Sequence, residues 1–199
     1  MGAILTQNTA WTNVEKAIAN LKRARLMSPR RMFATPVVEL AELIRPAGYF
    51  NMKADRLRHF LDVLLHQNGG SLRRLFAGDT RAVRDRLLAI KGIGPETADS
   101  MLLYAGGHPS FVVDAYTKRV FQRHGWWTGT GPQAAAKAHS RNEYDSLQRL
   151  CEATLDQFPG EERLDYWQDY HAQLVVVGKD YCRPRNPDCT SCPLKPLLP

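Results

Sequence analysis

The stretch Leu87-Leu88-Ala89-Ile90-Lys91-Gly92-Ile93-Gly94-Pro95-Glu96-Thr97-Ala98-Asp99 constrains the fold more than any other part of the chain. It places two apolar helical segments on either side of a tight turn. Glycines at 92 and 94 let the backbone reverse and approach a neighbouring group closely, and Pro95 opens the second helix with its N–H groups exposed. A turn of this kind can hold a phosphate without reading base sequence. A Gly/Pro connector, Gly106-Gly107-His108-Pro109, then leads through Ser110-Phe111-Val112-Val113 to Asp114.

The rest of the chain is consistent with an all-α protein. Segments 13–26, 36–45, 53–66, 71–77, 80–90, 95–105, 114–124, 143–157 and 163–180 carry apolar residues at helical spacing or are rich in helix formers. Gly, Pro and cap-forming residues separate them at 68–70, 78–80, 106–109 and 128–132. The β-branched run Val175-Val176-Val177 lies within a longer helical pattern and reads as core helix. At 199 residues and 44% hydrophobic content the chain can bury a substantial core, as one domain or two small lobes. A net charge of +7 favours a polyanionic partner. No apolar run approaches the roughly 20 residues needed to span a bilayer, and the N-terminus lacks a signal-peptide layout, so the expected location is cytoplasmic.

The order of hairpin, Gly/Pro connector and Asp114 resembles the helix-hairpin-helix–Gly/Pro/Asp superfamily of DNA glycosylases, of which endonuclease III is the best-known member. The resemblance covers essentially the whole chain. It implies two helical lobes, 1–107 as a helical barrel containing the hairpin and 108–199 carrying Asp114 and a cysteine loop, with an active cleft between them. It further implies double-stranded DNA with a damaged base as the partner, no membrane, and a nucleoid-associated monomer. Met1 to Thr9 looks like the interior of a family helix, so either the true start lies upstream or that face is left to another contact.

Breaking an N-glycosidic bond builds positive charge on the sugar, and a buried carboxylate can stabilise it and orient a water. Asp114 fits that role; alone, it would read as an N-cap ahead of Ala115-Tyr116-Thr117-Lys118, and the two roles are compatible. Bifunctional family members carry an attacking lysine two residues after the second hairpin glycine. This chain has Glu96 there, and a carboxylate cannot form an imine. Glu96 is either an acid favoured by a helix N-terminus or a pocket residue that bonds a flipped base or places water. Together with Leu5-Thr6-Gln7-Asn8-Thr9-Ala10-Trp11, this makes the chain most similar to the 3-methyladenine glycosylase III branch. An aromatic at the Trp11 position there stacks on the damaged base; Trp11 as a buried core anchor is the alternative.

The resemblance places Asn8, with Gln7 beside it, where a polar plug fills the gap left by an extruded base, and Tyr49 where a second side chain wedges the opposite strand. Tyr49 could equally be a half-buried turn aromatic. Lys53, Arg56 and Arg58 meet phosphate or solvate a helix face. Lys91, Gly92 and Gly94 belong to the phosphate-holding turn.

Cys182, Cys189 and Cys192 have C-x6-C-x2-C spacing, which resembles the first three ligands of the family's [4Fe–4S] loop. Leu198 stands where the fourth cysteine is expected. A cluster with a carboxylate, imidazole or water as fourth ligand is the favoured reading, zinc the alternative, and an empty loop the third. Arg183 and Arg185 would project from that loop toward phosphate. Cys151 reads as a small buried apolar residue. The function expected is hydrolysis of the bond to a damaged base, an alkylated purine, with no lyase step. A bifunctional enzyme acting on oxidised pyrimidines, and a DNA-binding or redox-sensing module without catalysis, are the competing readings.

Overall fold

The computed structural model describes residues 1–129, 141–155 and 160–199. Every regular element among them is helical: α1 (Gly2–Leu5), α2 (Trp11–Arg23), α3 (Pro29–Ala34), α4 (Val37–Leu43), α5 (Phe50–Asp62), α6 (Leu72–Leu75), α7 (Thr80–Leu88), α8 (Pro95–Met101), α9 (Ala115–Arg123), α10 (Arg141–Leu155) and α11 (Gly160–Asp180). Two π turns, Val63–Gln67 and Leu102–Gly106, extend α5 and α8. Val175-Val176-Val177 lies within α11, as the apolar periodicity requires. The expected turn at 128–132 and the end of the expected helix 143–157 run outside the described residues. The apolar spacing did not mark α3, which spans 6 residues and is too short to display a period, and α1 was expected only from the resemblance of Met1 to Thr9 to a family helix.

The chain divides into two compact units, Met1–Met101 and Leu102–Pro199. Their boundary falls at the junction of α8 with the second π turn, inside the segment read as one helix. In the first unit the buried faces of α1, α2, α4, α5 and α7 contribute Ile4, Leu5, Leu21, Leu40, Leu57 and Leu87, all at most 1% exposed. Burying a large aliphatic side chain of this kind contributes roughly 1.5–3 kcal/mol. The second unit packs α9, α10 and α11 around Phe111, Val113, Val120, Leu147, Trp167 and Leu174.

Within the second unit, α9 and α11 approach so closely that only glycine fits at 178. A Cβ there would lie 2.6 Å from Tyr116 Cδ1 and 2.7 Å from its Cβ. Arg119 on α9 clamps the same contact, donating from Nη2 to the Gly178 carbonyl at 2.7 Å and from Nε to the Cys182 carbonyl.

Candidate active site

Asp114 sits at the end of an extended connector that has no ladder partner, so its backbone groups need other partners. Side chains of α10 supply them. Glu152 Oε1 accepts from the Phe111 N–H at 3.0 Å, Gln148 Nε2 donates to the Phe111 carbonyl at 2.7 Å, and Tyr144 Oη accepts from the Val113 N–H at 3.3 Å. The connector therefore delivers Asp114 to a fixed place. There it is the N-cap of α9: Oδ1 accepts from the Thr117 N–H at 2.8 Å and from its hydroxyl at 3.0 Å.

The second carboxylate oxygen faces a histidine that sequence reading did not single out. His171 Nε2, on α11, lies 3.6 Å from Asp114 Oδ2, and the two side chains are 11% and 14% exposed. The other ring nitrogen, Nδ1, is 2.6 Å from the hydroxyl of Tyr104 on the second π turn. Gln168 ties α11 to that turn by donating to the Leu103 carbonyl at 2.7 Å. Burial by itself would raise the Asp114 pKa, but His171 and the two Thr117 donors outweigh it and hold the carboxyl below its ordinary value. Tyr104 is pushed up to about 12, by burial first and then by the Asp114 charge. Asp114 is thus an ionised, fixed carboxylate with little water around it. The sequence signal for His171 was its place on the apolar stripe with Trp167 and Leu174, at i, i+4 and i+7.

The hairpin forms as its glycines require. Asp79 caps α7 by accepting from the Ala82 N–H at 3.0 Å, and Gly92 takes φ +91° at the turn. A Cβ on Gly92 would lie 2.4 Å from Arg56 Cγ, so the position excludes a side chain on both counts. Arg84 on α7 pairs with Asp99 on α8, Nε to Oδ1 at 2.7 Å and Nη2 to Oδ2 at 3.0 Å, with Asp99 wholly buried. Lys91, Gly92 and Glu96 are exposed and Gly94 is half-buried.

Two expected DNA contacts, Lys53 and Gln7, are corrected by this structure, and so is the open reading of Arg58 as a phosphate contact or a solvated face. Lys53 is 1% exposed, and its Nζ donates to the carbonyls of Leu5 at 2.9 Å and Ala47 at 2.6 Å; it anchors α1 against the Arg45–Ala47 turn instead of meeting phosphate or water. Arg58 donates to the Phe33 and Thr35 carbonyls and lies over the Phe33 ring, 4.4 Å from its centroid. Gln7 braces the hairpin rather than projecting as a plug: Nε2 donates to Thr97 Oγ1 at 2.8 Å and to the Gly92 carbonyl at 3.3 Å, and Oε1 accepts from Arg56. In each case a long polar side chain finds backbone partners inside the fold.

Asn8 and Tyr49, by contrast, are exposed, Tyr49 at 63%. Both occupy the left-handed region, at φ 53° and φ 44°. Asn tolerates that conformation, whereas in Tyr it stores about 1–2 kcal/mol of strain. Trp11 is 54% exposed at the first position of α2, with Nε1 donating to Glu15 at 3.1 Å, so it is not a core residue.

Lys53 carries a pH signature. Burial first, and the Arg56 charge second, push its amine from 10.5 down to about 8. The unfolded chain keeps that proton up to its ordinary value, while the folded chain releases it near 8; stability therefore rises with pH across that interval. Urea unfolding at pH 7, 9 and 10.5 should show this rise in the parent and not in Lys53→Met. Equal pH dependence in both would contradict it.

Cys182, Cys189 and Cys192 line one recess with His124, Asp188 and Leu198. Three soft thiols suit an iron–sulfur or zinc centre by type. Among the described residues no three His, Cys, Asp or Glu side chains come together to hold a metal, and Cys182 Sγ accepts from Arg123 Nη1 at 3.0 Å. Cys151 is buried in α10 with its thiol pushed up to about 12, by burial and then by Glu152, in keeping with an inert apolar role. Arg183 and Arg185 are exposed beside the recess. No described helix is long and apolar enough to cross a membrane.

A capping Asp follows a Gly-X-Gly hairpin in the sequence, every described regular element is helical, and sequence comparison gives this pattern its class. The chain belongs to the HhH-GPD superfamily of base excision DNA repair proteins, whose pattern matches residues 1–144. A Methanocaldococcus jannaschii protein carrying the name DNA repair glycosylase is 40% identical over 196 residues, 98% of this chain and 81% of that protein. Endonuclease III of Thermotoga maritima is 25% identical over 98% of this chain and 78% of its own. Among solved structures, a 3-methyladenine DNA glycosylase of H. pylori bound to 1,N6-ethenoadenine superposes with a TM-score of 0.67 at 28% identity, covering 89% of this chain and 82% of that one. An endonuclease III–DNA complex superposes with a TM-score of 0.73 at 25% identity, over 99% and 79%.

Proposed function

We propose that this chain is a monofunctional DNA glycosylase that hydrolyses the bond between deoxyribose and an alkylated purine. The observation that carries the reading is Asp114: a carboxylate kept ionised and immobile by Thr117 and His171, suited to stabilising positive charge on the sugar and orienting the attacking water. Leaving the abasic strand intact follows from Glu96, exposed in the first turn of α8 where a lyase needs an amine. Lys53, whose amine is lowered to about 8, is held by two carbonyls and does not supply that nucleophile. In this reading the Gly92–Gly94 turn and Lys91 grip phosphate, Asn8 and Tyr49 fill the opened stack, and Arg183 and Arg185 add backbone contacts. The protein works as a monomer on double-stranded DNA in the cytoplasm, at the nucleoid. Borohydride added during reaction on a lesion duplex should leave no protein–DNA adduct; a lesion-dependent adduct would favour the bifunctional alternative.

Trp11 is the base-stacking residue of this reading, and the ethenoadenine held by the H. pylori enzyme supports a purine with an added carbon bridge as the kind of base it meets. Because Trp11 is more than half exposed, Trp11→Ala should leave the melting temperature unchanged. It should weaken lesion-duplex binding by roughly 1–3 kcal/mol, with abasic-duplex binding nearly intact. Equal losses on both duplexes would remove Trp11 from the pocket.

For the cysteine recess, a [4Fe–4S] cluster on Cys182, Cys189 and Cys192 remains the proposal, with zinc as the alternative. Binding requires Cys182 to leave Arg123 and the three thiols to converge. Iron and sulfide assay of protein purified without oxygen tests it: stoichiometric zinc supports the alternative, and absence of both metals overturns both.

A further inference from the structure

We infer that His171 is the positioning residue that aims the Asp114 carboxylate, and that Tyr104 sets which imidazole nitrogen carries the hydrogen. The inference rests on the reading of Asp114 as the catalytic carboxylate. His171 is buried, its Nε2 makes no hydrogen bond, and that atom faces Asp114 Oδ2 at 3.6 Å. A buried ring nitrogen is costly unless the group it faces makes use of it, and the group that Nε2 faces is the Asp114 carboxylate.

Tyr104 decides how it serves. If the Tyr104 hydroxyl donates to Nδ1, 2.6 Å away, the ring hydrogen sits on Nε2 and points at Asp114. If the imidazole is doubly protonated, Nδ1–H donates to the tyrosine oxygen. The hydroxyl then turns to the Gln168 carbonyl at 3.3 Å, and Nε2–H again points at Asp114. The remaining tautomer would set a lone pair against a carboxylate in a buried site, two acceptors facing each other, and is disfavoured. Both allowed states present an N–H to Oδ2 while Thr117 holds Oδ1. The ring plane is fixed by Phe111 edge-on, centroids 6.3 Å apart, and by the Tyr104 ring at 5.8 Å. Tyr104 owes its place to the π turn, a device frequent at functional sites because it redirects side chains along a helix.

The titratable groups facing Asp114 are His171 from α11 and Tyr104 from the π turn, with uncharged Thr117 from α9. Burial raises the carboxyl's affinity for a proton and His171 opposes it. Removing His171 therefore moves Asp114 ionisation to higher pH, and the acidic limb of the pH–rate profile moves with it. Base release by His171→Leu at neutral pH should fall by up to roughly 100-fold, the scale for a misplaced reacting group, with part of the loss recovered at alkaline pH. His171→Gln keeps a donor near the Nε2 position and should restore most of the rate. Abasic-duplex affinity should hold in both.

The decisive measurement does not depend on turnover. Side-chain ¹H–¹⁵N spectra of the parent should show His171 carrying a hydrogen on Nε2, with or without a second on Nδ1, and carbon-detected titration should place the Asp114 carboxyl higher in His171→Leu than in the parent or in His171→Gln. Should His171→Leu fail to fold, Tyr104→Phe tests the same link, since it removes the group that selects the tautomer. A neutral ring with its only hydrogen on Nδ1, an unmoved Asp114 titration, or a moved titration with an unchanged pH–rate profile overturns the inference. Asp114→Asn separates the two claims: undiminished base release from that variant sinks Asp114 as the catalytic group, while the spectra still report whether His171 aims it.

Discussion

Asp114→Asn should lower single-turnover base release by about two or more orders of magnitude, the scale of losing one preorganised electrostatic group. The substitution isolates charge from shape. Asn caps a helix about as well as Asp, so the bonds to Thr117 survive and the unfolding midpoint should stay close to that of the parent. Binding to an abasic duplex should also survive, because it does not need the charge that stabilises the sugar cation. Asp114→Ala removes the cap as well and should cost about 1 kcal/mol of stability in addition to the same loss of rate. A variant that binds, folds and releases base like the parent would move the chemistry to another residue.

The largest effect on stability should come from Arg84→Met. Asp99 is wholly buried and pairs with Arg84 through two bonds, so losing the guanidinium takes two charge-assisted bonds from a carboxylate in the interior. Breaking a buried pair from one side costs about 3–5 kcal/mol, a large share of the roughly 5–15 kcal/mol that holds most domains folded. Adding Asp99→Leu should recover part of it, since an apolar pair of similar volume avoids the buried charge. Denaturant midpoints of the single and double variants check this, and a double variant no better than the single would show that the ion pair is not the cause. The same variant should weaken DNA binding, because α7 and α8 are the two arms that hold the Gly92 turn.

Most of the helical architecture could be read from the sequence because it is local. The apolar spacing of 53–66 and 95–105 marked α5 and α8 with their π turns as continuous helical stretches, although spacing could not show where the ladder changes from α to π. Asp114 was legible for two local reasons that coincide: it precedes a capping-competent run, and it follows the hairpin at a short distance. Partnerships over long chain separations were not. His171 meets Tyr104 across 67 residues, and Lys53 reaches Leu5 across 48; neither has a local signature. Lys53 shows why charge was a poor guide, since a lysine between apolar neighbours reads as a solvated face whether its amine points to water or into a ring of carbonyls. Gln7 was misread for a related reason: the sequence set it beside Asn8, but the chain takes a left-handed turn at Asn8, which stays exposed while Gln7 is held by Thr97.

Hydrolytic release of an alkylated purine through Asp114, without strand cleavage, can be read in a single assay. A duplex carrying a single 3-methyladenine or 1,N6-ethenoadenine is incubated with excess enzyme, and both the free base and the integrity of the strand are measured before alkali. Free base should appear in proportion to enzyme-dependent abasic sites, with an unbroken strand that cleaves only on alkaline treatment. Strand breaks before alkali, or release of oxidised pyrimidines with alkylated purines untouched, would contradict it.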